Sequence, residues 1–323
     1  MRSFGPRLAA LLAFLAVPAM AGEVRIESFA VPDGARPHDV APTPGGPDGS
    51  VWYTAQRQGA LGRLDPKTGE TVQIPLGEDS KPHGVIVGPD GFAWVTDSGL
   101  NAIVSVHPDS LAVTVYPLPE GSASANLNTP AFGGDGRLWF TGQAGIYGSL
   151  DPATGTMRVF EAPRGYGPYG IHHRPDGEVW FSSLAGSYIA RIEAESGAVE
   201  VFDPPTADAG ARRVWSDSKG ILWVSEWNAG QLARFDPETG AWREWALPGD
   251  DPSAYAVYVD ETDMVWISDF GANAVLRFDP GTESFDAFPI PRKRADVRQM
   301  LGRAGEVWTA ESGTDRLTIY RYD

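Results

Sequence analysis

The sequence predicts an all-β fold, a seven-bladed β-propeller with four antiparallel strands per blade, and three observations carry that prediction. First, a tryptophan-bearing strand recurs seven times, as GSVWYTAQ, GFAWVTDS, GRLWFTGQ, GEVWFSSL, GILWVSEW, DMVWISDF and GEVWTAES. Second, its tryptophans, Trp52, Trp94, Trp139, Trp180, Trp223, Trp266 and Trp308, are separated by 42, 45, 41, 43, 43 and 42 residues. That period, filled with short strands and turns, is the signature of propeller blades. Third, no stretch shows the 3.6-residue periodicity over roughly 10–15 residues that a helical solenoid needs. Runs such as AVYVD and VWIS alternate instead.

The elements follow in order. Residues 1–21 read as a signal peptide: Arg2 and Arg7, the apolar run LAALLAFLAV, then AMA before Gly22. The run is too short to span a bilayer, and no later segment approaches the ~18 apolar residues a spanning helix requires. Export to the periplasm or medium is therefore expected, with residues 22–323 forming one propeller domain. EVRIESFAVP, at the start of that domain, matches fourth strands such as AVEVFDPP and AVTVYPLP. The seventh repeat stops after RLTIYRYD without a fourth strand of its own. The N-terminal strand is expected to complete it, closing the ring and removing an exposed sheet edge.

Within a blade, a channel-lining strand leads through an Asp/Gly turn to the tryptophan strand. A third strand such as QLARFDPETG and a fourth such as ETVQIPL complete the sheet. The repeated tryptophans are expected to pack between neighbouring sheets, burying roughly 150–250 Å² each. Trp215, Trp227, Trp242 and Trp245 lie outside that register. Trp227 follows Glu226 at a strand end and is a candidate pocket wall; Trp242 and Trp245 fall in a fourth-strand region.

The net charge is −16, and −18 once the two leader arginines are set aside. So acidic a chain repels nucleic acid and anionic lipid, and neither is expected as a partner. The absence of cysteine removes thiol and disulfide chemistry. A monomer that binds a small-molecule or peptide ligand is expected.

KPHGVIVGPDGFAWVTD sets His83 and Asp97 equidistant from a Pro-Asp-Gly turn, so hairpin pairing brings them to one rim of a blade. The same construction sets His38 opposite Gln56, Asn128 near Gln143, and Tyr169 near Ser183. It also pairs Arg212 or Arg213 with Glu226, Tyr255 with Asp269, and Arg298 with Glu311. One mouth of the channel thus gathers polar and ionisable groups and is the expected ligand site. There Tyr169, Arg212, Trp227, Tyr255 and Arg298 are candidate substrate contacts. The Arg212–Glu226 and Arg298–Glu311 pairs equally suit loop-tying ion pairs. His172 and His173 lie within a first strand and read as structural; His107 reads as solvent-exposed.

RPH and KPH place His38 and His83 at one position in adjacent blades, where both reach a common ligand and either serves as general base. Asp97, Glu226, Asp269 and Glu311 are the carboxylates able to hold a hard cation that polarises a carbonyl. No tight metal signature, nucleophile elbow or cysteine nucleophile accompanies them.

GPYGIHHRPDGEVWFSS, KPHGVIVGPDGFAWVTD, ILWVSEWNAGQLARFDP and FGANAVLRFDP resemble the repeats of streptogramin B lyases, also called virginiamycin B lyases, over nearly the whole mature chain. The resemblance implies an antibiotic-inactivating carbon–oxygen lyase that uses magnesium and a histidine base to open a cyclic depsipeptide at its ester by elimination. It implies two catalytic histidines, His83, in KPHG, as the general base and His38, in RPHD, as the second histidine beside it. Two departures stand out. Lys81 occupies the place of the family's metal-binding glutamate, so a cation would need Asp97 or carboxylates of other blades. The histidine blades are the first two here and the last two in the family. Two alternatives stay open: a non-catalytic periplasmic propeller binding a peptide, glycan or protein, and a lactonase-like metal hydrolase.

Overall fold

The computed structural model describes residues 23–46 and 49–322. The proposed signal peptide lies outside them. The described residues form seven four-stranded antiparallel sheets. Six sheets are consecutive in sequence; the seventh joins Arg25–Ala30 to Arg316–Arg321 across six residue pairs, Arg25 opposite Arg321 through Ala30 opposite Arg316. The ring is thus closed by the N-terminal strand, as its likeness to the other fourth strands predicts.

The seven repeated tryptophans are all buried, and each packs against the next blade. Trp52 meets Val85 and Val95, Trp94 meets Leu127 and Phe140, and Trp308 meets Val40 and Tyr53. Six of their indole N–H groups explain the acidic residue shortly before the tryptophan; the buried Trp52 Nε1 has no partner among the described residues. Trp94 donates to Asp90 at 3.2 Å, Trp266 to Asp260 at 2.7 Å and Trp308 to Glu306 at 3.0 Å. A buried indole left without such a partner would be destabilising. Trp245 also joins the packing between blades, on Phe278 of the next sheet, while Trp242 lies on Phe235 of its own sheet at the edge of the cluster that contains Trp180 and Ile189.

Hairpin arithmetic misses the register in every blade, by one residue in five of them and by one residue on both strands in blades one and three, where Pro37 faces Ala55 and Leu127 faces Gly142. The second-strand ends pair with the residue before the expected one: Asp97 with Pro82, Glu226 with Ala211, Asp269 with Ala254 and Glu311 with Val297. The cause is a β-bulge near the start of each channel-lining strand, such as the extra residue His83 between Pro82 and Gly84. A bulge bends the strand and re-aims the side chain it displaces. Here it turns His38, His83, Tyr169, Arg212, Tyr255 and Arg298 toward the mouth.

A hydroxyl two residues after the tryptophan holds the bulge. The Asp39 N–H donates to Thr54 Oγ1 at 2.9 Å, and that hydroxyl donates to the His83 carbonyl of the next blade at 2.9 Å. Ser225 and Ser268 do the same, reaching the Tyr255 carbonyl at 2.6 Å and the Val297 carbonyl at 2.8 Å. Blade seven carries Ala310 there, and Gln299 Oε1 accepts the Val40 N–H at 2.9 Å across the closing junction instead.

Candidate functional site

The bulges of six blades converge on a basin of about 370 Å³ at one mouth of the channel. Its wall carries His38, His83, Tyr169, Arg212, Tyr255 and Arg298, with Arg36 and Arg57 exposed on the rim. A polar plug drawn from four blades closes its floor. His38 Nδ1–H donates to Asp39 Oδ1 at 2.7 Å, and Arg213 Nη2 donates to the same oxygen at 3.2 Å. Arg213 Nη1 continues to Thr129 Oγ1 at 2.8 Å, which donates to Asn128 Oδ1 at 2.8 Å. Asn128 Nδ2 then donates to His83 Nε2 at 3.3 Å. Beyond the plug lies an apolar cavity of about 510 Å³, where His172 stacks on Trp215 at 3.6 Å.

The two histidines are therefore different. Asp39 fixes the His38 proton on Nδ1, leaving Nε2 as the free acceptor, with no hydrogen-bond partner among the described residues. In His83 the Asn128 amide occupies Nε2, so the proton sits on Nδ1, a buried atom without a partner. Their ring centroids are 3.7 Å apart. Burial, then Arg213, Arg298 and Arg212, holds His38 well below the usual histidine range. Burial and His38 do the same to His83, Asp39 opposing only in part. Both are neutral at pH 7.

On the opposite wall Tyr169 and Tyr255 share a short hydroxyl–hydroxyl hydrogen bond. The Arg212 guanidinium lies 3.5 Å from the Tyr255 ring centre, 4.5 Å from Tyr169 and 4.7 Å from Trp227. Burial and Tyr255 push Tyr169 up to about 12. Burial also works to raise Tyr255, but Arg212, Arg298 and Arg213 overcome it and hold that phenol below its ordinary value. Trp227 stands behind this wall, edge-on to Tyr255 and Phe270, rather than lining the basin.

The four carboxylates expected as metal ligands are engaged elsewhere. Asp97 accepts from Ser80 Oγ and from the N–H groups of Lys81 (2.8 Å), Gly99 and Leu100 (both 2.9 Å). Asp269 accepts from the N–H groups of Ser253 at 2.8 Å and Gly271 at 2.9 Å. Glu311 binds Arg292 at 2.6 Å, with Thr314 and Thr318. Glu226 accepts from Gln231 Nε2 at 2.7 Å, and burial pushes its carboxyl up to about 8. Lying opposite the residue before the bulge, they tie loops together. None lines the basin. The expected Arg212–Glu226 and Arg298–Glu311 ion pairs do not form; Arg212 and Arg298 face the basin.

Among the described residues the group that brings candidate metal-binding atoms within 4.8 Å of one another is His38, Asp39 and His83. Two imidazoles and one carboxylate already held by a histidine and an arginine do not fit magnesium, which favours an octahedron of oxygens. The adjacent arginines oppose a cation further. Asp39, Arg213, Thr129, Gln299 and the rim arginines enter the site beyond the proposed set. Asp39 was visible as the residue after His38 in RPHD, but its role needs the bulge, which turns two successive residues toward the channel.

The sequence profile of the Virginiamycin B lyase family matches residues 16–238 and 131–319. The curated virginiamycin B lyase of Nocardia farcinica (strain IFM 10152) is 32% identical over 165 residues, 50% of this chain and 54% of that protein. The chain thus matches about half the length of that relative. Among solved structures, a streptogramin B lyase superimposes with a TM-score of 0.84 at 23% identity, covering 93% of this chain and 98% of that one. A catalytically inactive variant of the Staphylococcus aureus virginiamycin B lyase with quinupristin also reaches 0.84, at 21% identity over 93% and 100%.

Proposed function

The chain belongs to the virginiamycin B lyase family, and from that premise we propose that it is a carbon–oxygen lyase that opens an ester by elimination, with His38 as general base. The observation that supports this most is the buried His38–Asp39 pair at the floor of the basin, which leaves Nε2 free and unprotonated. Such a base takes a proton α to a carbonyl; the C–H electron pair becomes the new double bond, and the bond from the β-carbon to the ester oxygen breaks. The departing group is a carboxylate and needs no proton. Asp39 stabilises the imidazolium that forms, and Arg212 and Arg298 supply positive charge for the developing anions. His83 packs on His38 and holds its ring in place. No step is routed through magnesium, since no carboxylate lines this basin. Export and a monomeric state belong to the same proposal.

A cyclic depsipeptide of the streptogramin B type is the substrate class that the family suggests. The test is incubation with such a compound and mass analysis of the product. Elimination opens the ring at unchanged mass and leaves an alkene, whereas hydrolysis adds one water. Absence of any product from well-folded protein would favour a binding propeller, a reading supported by the displacement of every expected metal-ligating carboxylate from the mouth.

A further inference from the structure

Arg36, Arg57, Arg212 and Arg298 line one basin, together with His38 and His83, and no aspartate or glutamate lines it with them. None of the four arginines makes an ion pair with a carboxylate of the described residues. Arg212 donates Nη2 to Tyr169 Oη at 3.0 Å, while its buried Nε has no partner. Arg298 donates Nε to Ser312 Oγ at 2.8 Å and approaches Tyr255 Oη at 3.5 Å. Both guanidiniums converge on the Tyr255 ring, at 3.5 and 5.7 Å from its centre. Only Arg213, one layer down, has its counter-ion, in Asp39. This concentration of positive charge stands on a chain of net charge −16. Like charges gathered without a counter-ion repel one another, and a concave low-dielectric wall focuses their field. An arginine fork matches a carboxylate with two parallel hydrogen bonds.

We propose that this basin is a carboxylate receptor, in which Arg212 and Arg298 clamp an acid group of the ligand and Arg36 and Arg57 steer it in. The inference rests on the mouth being the ligand site, as in the proposed function, but not on turnover. The acid group belongs either to a peptide terminus or to a uronic sugar, and both present the same planar anion.

The test is titration calorimetry with N-acetyl-dialanine and its amide, and with galacturonate and galactose, on the full-length mature protein and on His38→Gln. At least one acid is expected to bind about tenfold or more tighter than its neutral partner, the effect of a charge-assisted hydrogen-bonded pair. The difference should shrink as salt is added. Arg298→Lys should reduce it and Arg36→Gln/Arg57→Gln should weaken its salt dependence; the latter two sites are exposed and leave the packing untouched. Circular dichroism checks that each variant folds. Equal affinity for acid and neutral partner, or no binding of either acid, would overturn the proposal. Acid selectivity without any lyase product would retire the lyase reading and leave the receptor standing; turnover of a neutral ester without acid selectivity would do the reverse.

Discussion

His38 Nδ1 lies 2.7 Å from Asp39 Oδ1, and that hydrogen bond decides which nitrogen of the site accepts a proton. His83, although it stands at the equivalent bulge one blade on, is followed by Gly84 and has no such carboxylate. Its Nε2 faces the Asn128 amide instead.

His38→Gln is therefore expected to lower turnover by about 10² to 10⁴, the usual share of a positioned base. Asp39→Asn should also cost activity while leaving the imidazole in place, because it disturbs the tautomer that exposes Nε2. His83→Asn should act less severely than either. Steady-state kinetics on the three variants check the ranking; a larger loss for His83 than for His38 would reassign the base.

The base must be neutral to act, and burial with three arginines lowers the His38 pKa. Activity should hold as pH falls past 6.5, the ordinary histidine value, and decline only below it. A kcat/KM profile with its acidic midpoint at or above that value would contradict the assignment.

Stability follows the same sign. His38, His83, His172 and His173 all have folded pKa values below their unfolded ones, burial being the main cause. The unfolded chain binds protons that the folded one refuses. This contribution is fully present above the unfolded pKa of about 6.5 and is lost as pH falls toward the lowered values. Urea melts should show a falling midpoint between about pH 7.5 and 5.5; a flat midpoint would mean these rings are solvated.

The ring was legible because tryptophan period and turn chemistry repeat along the chain, and its closure because RIESFA reads as a fourth strand. The mouth was legible too, down to His38, His83, Tyr169, Arg212, Tyr255 and Arg298. What pairing arithmetic does not reveal is a bulge, since one extra residue leaves the strand pattern intact while re-aiming the side chains around it. Hence Asp97 and Glu311 looked like neighbours of His83 and Arg298 but pair with Pro82 and Val297. Arg36 and Arg57 were invisible for another reason: Arg36 sits in the loop before Pro37–Pro42 and Arg57 in the single 3-10 turn Gln56–Gln58 after Val51–Ala55, where no periodicity marks a direction.

Glu226 tests the correction at one of those carboxylates. Its pKa is raised from 4.5 to about 8 by burial, with Oε1 left unpartnered. A raised carboxyl contributes its stability below the unfolded pKa and loses it as pH climbs through the folded one. Glu226→Gln should be close to neutral near pH 4.5 and stabilising by about 2 kcal/mol or more at pH 8, read as a rise in thermal midpoint. A lower midpoint at pH 8 would show that the carboxylate is wanted in ionised form.

The N-terminal strand offers the sharpest test of the ring. Phe29 stacks on Trp308 with centroids 5.6 Å apart and belongs to the core shared by blades seven and one. Ser28 Oγ accepts from Arg316 Nε at 2.9 Å and from Thr318 Oγ1 at 3.0 Å. Deleting residues 24–30 removes six paired positions and opens the edge of Arg316–Arg321 to a second chain. Phe29→Ala keeps the ladder and removes only the ring, at an expected cost of about 3 kcal/mol. The deletion should therefore lower the thermal midpoint further than the substitution, and it alone should produce association in light scattering. Equal melting and no association after the deletion would mean that the last blade is stable with three strands.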